Sequence, residues 1–402
     1  MTVLDPVVRE AKALWDGGTG RSLLVIAGAW GLLLGTRMIY PVLLPYFRSS
    51  FGLSLTVSGL LVTVLWLGSA LGQLPGGILA DRYSERSVMT AGLVVVAGAV
   101  TAVALAPTAA FLFLATALVG LGQSLYPIAR ITALAQLYPD RIGSALGLTM
   151  ATGDLGQTVL PPVATTLAVV VAWQVGLGFM VPLLVVAAVA LWLVLPSDTG
   201  TSESALDELS LDTARYVIAE LRRENMVFVA FILFLYIFVW QAFTGFYPTY
   251  LIDVKGVETA TAALLFSLFF AVGVVVKPVA GAVYDRIGIR GSLVLVLSGP
   301  VVGLALLPTA DGLLPLVGIT ALVSTMLGSG AITQSYLSDS ISADMRGTGL
   351  GVVRTTAATL GAVGPVAFGA VADVGYFDEA YLGLAVVMLV VIGLTLRLPS
   401  GS

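Results

Sequence analysis

The sequence predicts an all-α integral membrane protein with twelve transmembrane helices in two pseudo-symmetric six-helix bundles. Of its 402 residues, 58% are hydrophobic and only 10% are charged, whereas a soluble domain carries about 25% charged residues. Apolar runs long enough to cross a bilayer follow one another from end to end, and the mean hydropathy is +1.01. Segments of the first half also recur in the second half at one fixed spacing. Together these observations place the whole chain in a membrane.

The individual spans follow from their length, because a helix needs about 20 residues to cross the hydrocarbon core. The first half contains apolar runs at 22–47, 55–80, 87–106, 111–137, 144–170 and 173–195, and the second half at 226–251, 259–283, 291–307, 313–337, 349–372 and 381–396. The runs are too long for barrel strands and lack their alternation. We therefore predict an N-terminal bundle at 22–195 and a C-terminal bundle at 226–397.

The polar segments complete the predicted organisation. They are a cytoplasmic N-terminal segment at 1–21, a cytoplasmic linker with an amphipathic helix at 196–225, and a cytoplasmic tail at 398–402. With the N-terminus inside, thirteen Arg and Lys residues fall in cytoplasmic segments and only Arg48 and Lys255 fall outside. Because basic residues concentrate on the cytoplasmic side of membrane proteins, we expect a multi-pass protein of the plasma membrane with both termini in the cytoplasm.

The composition also excludes several kinds of chemistry. The chain has no Cys and no His, which excludes disulfides, thiolate nucleophiles and the commonest metal ligand. There is no nucleotide-binding loop and no sizeable soluble domain, so a primary pump is excluded. We expect no metal, no cofactor, no nucleic-acid partner and no enzymatic activity, and we expect a monomer surrounded by lipid.

An internal repeat with an offset of 204 residues connects the two halves. Gly77, Asp81, Arg82 and Arg86 follow the second span, and Gly281, Asp285, Arg286 and Arg290 follow the eighth at this offset. The same offset relates residues 116–119 to 320–323 and Pro161 to Pro365. One offset that serves several separated regions indicates a duplicated six-helix unit.

The segment Gly72…Pro75…Gly77…Asp81-Arg82…Arg86 resembles the loop 2–3 motif of the major facilitator superfamily, with Ser84 where Gly is usual. Gly288 keeps that Gly in the second copy, and residues 139–147 resemble the family's loop 4–5 element. The resemblance covers the whole chain. It implies alternating access by two bundles, with helices 1, 4, 7 and 10 lining a central cavity. Residues 153–157 depart from the family's antiporter motif, so the resemblance does not extend to that subclass.

The repeated motif is expected to act as a gate at the cytoplasmic face. Asp81 and Asp285 can each cap a helix N-terminus in the opposite half, and the arginines can bridge to acids or to lipid phosphates. The alternative is that the arginines only anchor the helix ends on the cytoplasmic side, where basic residues concentrate. The predicted gating residues are Gly72, Gly77, Asp81, Arg82, Arg86, Gly281, Asp285, Arg286 and Arg290.

Four cations and one anion lie inside the predicted spans, where charges face the bundle interior and are functional by default. Arg37, roughly 22 Å from the cytoplasmic end of its helix, has no acidic partner in the first half. An excess of buried positive charge favours an anionic substrate, because guanidinium groups bind carboxylate or phosphate in a bidentate manner. The candidate substrate-binding residues are Arg37, Tyr40, Tyr126, Arg130, Asp154, Trp240, Gln241, Lys277 and Arg354.

Each buried charge also has a structural interpretation. Arg354 can pair with Asp81 at the gate, Arg130 can pair with Asp154, and Lys277 can extend its amine to the cytoplasmic face. An Arg in the first span ahead of Pro41, with another after Pro127, is similar to the anion:cation symporter branch of the family.

The leading functional hypothesis is a secondary transporter of a small anion, a carboxylate or an inorganic oxyanion, coupled to a proton or another ion. In that hypothesis Asp154 is the candidate proton carrier, since it is the one acid well inside a span. The alternatives are a multidrug or cation exporter of the same fold, which requires intramembrane acids, and a membrane enzyme or receptor.

Overall fold

The structure, a computed structural model, describes Leu14 and residues 19–196, 224–340 and 346–398. The predicted amphipathic helix of the linker and most of the predicted N-terminal segment and C-terminal tail lie outside these residues. Within them the chain is helical and contains no strand. Nine helices of the described part are long and apolar enough to cross a membrane, and Leu55–Leu71 is a shorter apolar helix.

The helices form twelve successive passes in the described residues, which confirms the predicted fold class. In the first half these are α1 (Gly20–Phe51), α2 (Leu55–Leu71 and Gln73–Tyr83), α3 (Glu85–Ala104), α4 (Ala109–Ser124 and Tyr126–Leu137), α5 (Ile142–Val170) and α6 (Trp173–Gly178 and Met180–Val194). In the second half they are α7 (Glu224–Asp253), α8 and α9 (together Thr259–Leu306), α10 (Leu313–Ser324 and Gly328–Ser340), α11 (Arg346–Gly361 and Gly364–Asp373) and α12 (Phe377–Thr395).

Local sequence signals fix several helix ends. Ser54 and Thr108 cap α2 and α4, with their hydroxyls accepting the N–H groups of Val57 and Phe111 at 3.3 Å each, as expected of N-cap residues. Gly52 ends α1 in the left-handed region at φ 65°, a conformation that costs Gly little. The helix Thr259–Leu306 runs through both α8 and α9, and its non-helical residue Gly288 divides the two.

Breaks within single passes are the main difference from the uninterrupted spans that the hydropathy predicts. The helix α4 breaks at Leu125, ahead of Pro127, and α10 breaks over the 3₁₀ turn Thr325–Leu327 at the equivalent depth of the second half. The helix α11 breaks ahead of Pro365. Proline supplies no N–H and clashes with the preceding turn, which explains the breaks in α4 and α11, whereas no proline lies next to the break in α10.

The two halves share one pattern of helix contacts. The pairs α1–α5, α2–α4 and α3–α4 recur as α7–α11, α8–α10 and α9–α10. A hydrogen bond recurs as well, because Thr116 donates to Tyr40 at 3.4 Å and Thr320 bonds Tyr247, with Thr116 and Thr320 at equivalent repeat positions. Across the halves, α2 packs against α11 and α5 against α8.

Glycines bring α1 and α5 into close contact. A Cβ at Gly156 would lie 2.0 Å from the Gly31 carbonyl oxygen, and one at Gly31 would lie 2.7 Å from that of Thr152. Small residues allow such backbone approach in membranes. This contact turns Gly153 and Gly156 of α5 towards α1. Asp154, next to Gly153 in the sequence, contacts the second half of the chain through Lys277.

Candidate functional site

The side chain of Arg37 is held in place on α1 by three neighbours. Its Nε donates to Gln123 Oε1 at 2.7 Å and its Nη2 to Ser69 Oγ at 2.6 Å. Its Cζ lies 4.6 Å from the centre of the Trp66 ring, a cation–π contact. Gln123 is oriented in turn by donating to the Leu33 carbonyl at 3.1 Å. The guanidinium is therefore preorganised, and its Nη1 has no protein partner within the described part of the chain.

An aromatic contact connects Arg37 to the second half. The edge of Trp66 meets Trp240 on α7, with ring centres 5.0 Å apart. Neither Trp240 Nε1 nor the adjacent Gln241 Oε1 has a hydrogen-bond partner among the described residues, although both atoms are buried. Trp240 thus lies at the boundary between the halves, next to the tryptophan that covers Arg37, and both predicted site residues of α7 have unused hydrogen-bonding capacity.

Tyr40 and Tyr126, also predicted to bind substrate, are fully buried inside the first half. Tyr40 accepts from Thr116, while Tyr126 donates to the Ile26 carbonyl at 2.9 Å and stacks on Trp30 with ring centres 6.1 Å apart. Because both hydroxyls are engaged and sealed, these tyrosines contribute packing in this structure and present no donor to a ligand.

Arg130 is buried on the second segment of α4. Its Nη1 donates to Thr149 Oγ1 at 2.7 Å and its Cζ lies 4.2 Å from the centre of the Trp30 ring, while its buried Nε has no partner among the described residues. Arg354 of α11 is more open and donates to Gln334 Oε1 at 3.0 Å.

Asp154 pairs with Lys277, not with Arg130. Lys277 Nζ lies 2.6 Å from Asp154 Oδ1, which also accepts from Gln157 at 3.3 Å. The predicted alternative pairing of Arg130 with Asp154 is therefore wrong, and Lys277 points to a carboxylate in the other half instead of the cytoplasmic face. The physical reason is the packing of α5 against α8, which brings a lysine from the second half to this acid.

This pairing leaves the three intramembrane arginines without an acidic partner among the described residues. In the described residues, none of Arg37, Arg130 and Arg354 contacts a carboxylate. The pairing of Arg354 with Asp81 is not tested, because the side chain of Asp81 lies outside the described part. Gly77 is likewise described only as part of the helix Gln73–Tyr83.

The remaining motif residues are spread over the predicted cytoplasmic ends of the helices. A Cβ at Gly72 would lie 2.0 Å from Ser124 Oγ, so Gly72 allows α2 to approach α4. Arg86 lies 4.1 Å from the centre of the Trp192 ring and donates to the Leu195 carbonyl at 3.4 Å, which ties α3 to the end of α6 in its own half. Arg82, Asp285, Arg286 and Arg290 are exposed, and Gly281 has open space beside it.

The opposite ends of the helices, on the predicted outer side, are joined across the halves. Asp373 of α11 accepts the Leu55 N–H at 3.0 Å and the Thr56 hydroxyl at 2.7 Å, and so caps α2. The N–H of Val366, exposed by the break in α11, donates to Thr63 Oγ1 at 3.3 Å. Arg48 forms an ion pair with Asp253. These contacts close the two halves on this side.

Trp66 and Ser69 are site residues that the sequence interpretation did not identify. They lie three residues apart on one face of α2, inside a largely apolar run. A polar side chain and an indole at helical spacing within a span were the available signal, but single serines and tryptophans are common in membrane helices. Only the position of Arg37 on the neighbouring helix distinguishes them.

Comparison with known proteins places the chain among transporters. A family model described as Major Facilitator Superfamily matches residues 25–365. A hexuronate transporter of Bacillus subtilis is 26% identical over 389 residues, covering 90% of both chains. A probable nitrate/nitrite antiporter of Thermus thermophilus is 29% identical over 278 residues, covering 65% of this chain and 60% of its own.

A solved structure has the same fold. It is a bacterial homolog of the human lysosomal transporter Spinster in an inward-facing, unoccupied conformation, which matches with a TM-score of 0.79 over 95% of this chain and 97% of its own. The sequence identity of 14% makes this a likeness of fold alone.

Proposed function

The chain belongs to the major facilitator superfamily, and on that premise we propose that it carries a small organic or inorganic anion by alternating access. The observation that carries the proposal is that Arg130 is buried with an unpartnered Nε, and that neither Arg130 nor Arg37 has a carboxylate beside it among the described residues. Charges buried in a membrane interior require a partner. An anion bound between the halves supplies it.

Arg37 completes the proposed anion site. Its guanidinium is already fixed by Gln123, Ser69 and Trp66, so little conformational entropy is lost when a carboxylate or oxyanion binds its remaining donors. Trp240 contacts Trp66, which in turn covers Arg37. The buried Nε1 of Trp240 and Oε1 of Gln241 have no partner among the described residues and offer a donor and an acceptor from the second half. The site therefore draws on both bundles, as a transporter that rocks about its ligand requires.

The names of the relatives agree with an anionic ligand. Hexuronate, nitrate and nitrite differ in size but share a planar, delocalised negative charge that a guanidinium binds well. The alternative of a multidrug or cation exporter requires an acid available to a cation. Among the described residues, Asp154 is the one acid well inside a span, and it is already paired with Lys277.

We place the protein in the plasma membrane as a monomer, with both termini in the cytoplasm because of the distribution of Arg and Lys. The motif around Asp81 and Asp285 serves as the cytoplasmic gate, and the contacts of Asp373 and Arg48 form the outer one. Transport is coupled to a proton or another ion, and no enzymatic step is involved.

The test is counterflow in proteoliposomes with radiolabelled glucuronate, nitrate, nitrite and phosphate, and with tetraphenylphosphonium as a cation. We expect at least one anion to exchange and the cation not to. Arg130→Gln and Arg354→Gln should each reduce anion exchange about tenfold or more, because each removes a charged hydrogen-bond donor. Arg21→Gln, which removes an exposed arginine from α1, should not. Exchange of the cation alone would overturn the proposal.

A further inference from the structure

The ion pair between Asp154 and Lys277 lies across the boundary between the two halves. Asp154 and Gln157 occupy one face of α5 and Lys277 extends from α8, with Nζ 2.6 Å from Oδ1. Any motion that separates α5 from α8 must therefore break this ion pair or replace one of its partners. The pair belongs to the interface that moves in a transport cycle and not to the interior of one rigid half.

The internal repeat supplies a control within the molecule. The crossing of α2 with α11 is the pseudo-symmetric counterpart of the crossing of α8 with α5. At the repeat positions of Lys277 and Asp154 it carries Gln73 and Ala358, which are neutral. The fold therefore forms this crossing without an ion pair, and the charges at the second crossing need another explanation.

Stability does not provide that explanation. A buried ion pair contributes little net stability, because the cost of desolvating two charges offsets their attraction. The carboxylate is almost enclosed, with a side chain 10% exposed, whereas the lysine is 36% exposed. Lys277 is thus accessible to a second anion while Asp154 is not. If an anion binds the lysine, a carboxylate remains in a poorly solvated site without a cation.

Among the described residues, the surroundings offer Asp154 no substitute cation. The ionisable groups within the membrane on the helices packed against α5 are Arg37, Tyr40, Tyr46, Tyr126, Arg130 and Lys277, and Tyr284, Asp285 and Arg286 follow at the cytoplasmic end of α8. Of these, Lys277 alone forms an ion pair with Asp154 in the described residues. Arg130 is turned to Thr149 and Trp30, and Arg37 to Ser69 and Gln123. An uncompensated buried carboxylate is neutralised most readily by a proton.

We propose that Asp154 and Lys277 together form the proton-coupling site: the transported anion displaces Asp154 from Lys277, and Asp154 then takes a proton from solution. This inference rests on the proposed anion transport and names its coupling ion. The proton converts the carboxylate into a carboxylic acid while the ammonium group of Lys277 keeps its charge and binds the anion. When the anion leaves, Lys277 returns to Asp154 and the proton is released. Anion and proton therefore travel in the same direction.

The test measures proton uptake on anion binding by purified protein in weakly buffered detergent solution with a pH indicator dye. The probe is whichever of glucuronate, nitrate or nitrite raises the Tm of the wild-type protein most, since a bound ligand stabilises the folded state. Wild-type protein should take up protons as the anion saturates. Asp154→Asn should bind the anion without proton uptake, and in proteoliposomes it should retain exchange but lose accumulation driven by a pH difference.

Lys277→Gln is the second variant, and it reproduces the neutral residue found at position 73. The ammonium group that binds the anion in this proposal is then missing, so proton uptake on addition of the anion should again be lost. Glu379→Gln is the control, because it removes an exposed carboxylate of α12, and should leave proton uptake unchanged.

The outcomes separate this inference from the proposed function. If none of the three anions binds, the proposed function is overturned and the inference with it. If an anion binds and Asp154→Asn takes up as many protons as the wild-type protein, the inference alone is overturned. The same holds if Asp154→Asn still accumulates the anion under a pH difference.

Discussion

Ser84 and Gly288 occupy the same position in the two halves, and both adopt a backbone conformation with positive φ. Their φ values are 145° and 68°, with ψ at 150° and −176°, a region that residues other than Gly enter only under strain. Each residue forms the turn between the second and third helices of its half. Ser84 stands where the loop 2–3 motif of the family usually has Gly, and its positive φ explains why Gly suits that position.

Replacing Ser84 with Gly should stabilise the protein. The strain at such a residue amounts to about 1–3 kcal/mol, whereas the lost cap, in which Ser84 Oγ accepts the Ser87 N–H at 3.2 Å, costs only a few tenths when Gly takes its place. We expect Ser84→Gly to raise the Tm in detergent and Gly288→Ser to lower it. A lower Tm for Ser84→Gly would show that the serine cap outweighs the strain.

The close contact of α1 with α5 leads to a second prediction. Gly156→Ala places a methyl group where the Gly31 carbonyl oxygen is 2.0 Å away, so the helices must separate at a cost of about 1–3 kcal/mol or more. Gly147→Ala, on the same helix with nothing within 4 Å, should be neutral or slightly stabilising because Ala favours helix. The yield of monodisperse protein and its Tm compare the two. Equal behaviour would contradict the packing described.

The sequence predicted the passes well and the partners of the charges poorly. Hydropathy depends only on the residues of the segment itself. The predicted spans 22–47 and 173–195 therefore differ from the observed passes by only a few residues at their ends. The partner of Asp154 depends on which helix of the other half packs against α5. The short loop between α4 and α5 favoured Arg130 as the partner of Asp154. The actual partner, Lys277, lies 123 residues from Asp154 along the chain. The contact of Trp66 with Arg37 is hidden in the sequence for the same reason.

A conservative change at Arg37 should separate charge from geometry. Arg37→Lys keeps the positive charge but cannot bond Gln123 and Ser69 at once or cover the Trp66 ring in the same way. We expect anion affinity, measured by the ligand-induced shift in Tm, to fall about tenfold or more. Ser69→Ala removes one of these hydrogen bonds and should give a smaller loss. Unchanged affinity in Arg37→Lys would mean that only the charge matters.

The last prediction concerns the outer side, where Asp373 caps α2 of the other half through Leu55 and Thr56. A negative charge at a helix N-terminus contributes about 0.3–1 kcal/mol and up to ~2 kcal/mol in favourable geometry. Asp373→Asn removes the charge and keeps the shape, so the closed arrangement should lose about 1 kcal/mol, a shift of about fivefold in population.

Because the chain has no Cys, spin labels can be attached at Leu105→Cys and Leu314→Cys without removing native thiols. These two positions are exposed on the predicted outer side of opposite halves. Electron–electron distance measurements should show a larger population at long separation in Asp373→Asn. Glu379→Gln makes the same charge change on an exposed residue of α12 and should leave the distances as they are. If both variants give the wild-type distribution, the Asp373 cap does not hold the outer side closed, and the contacts of Thr63 and Arg48 must do so instead.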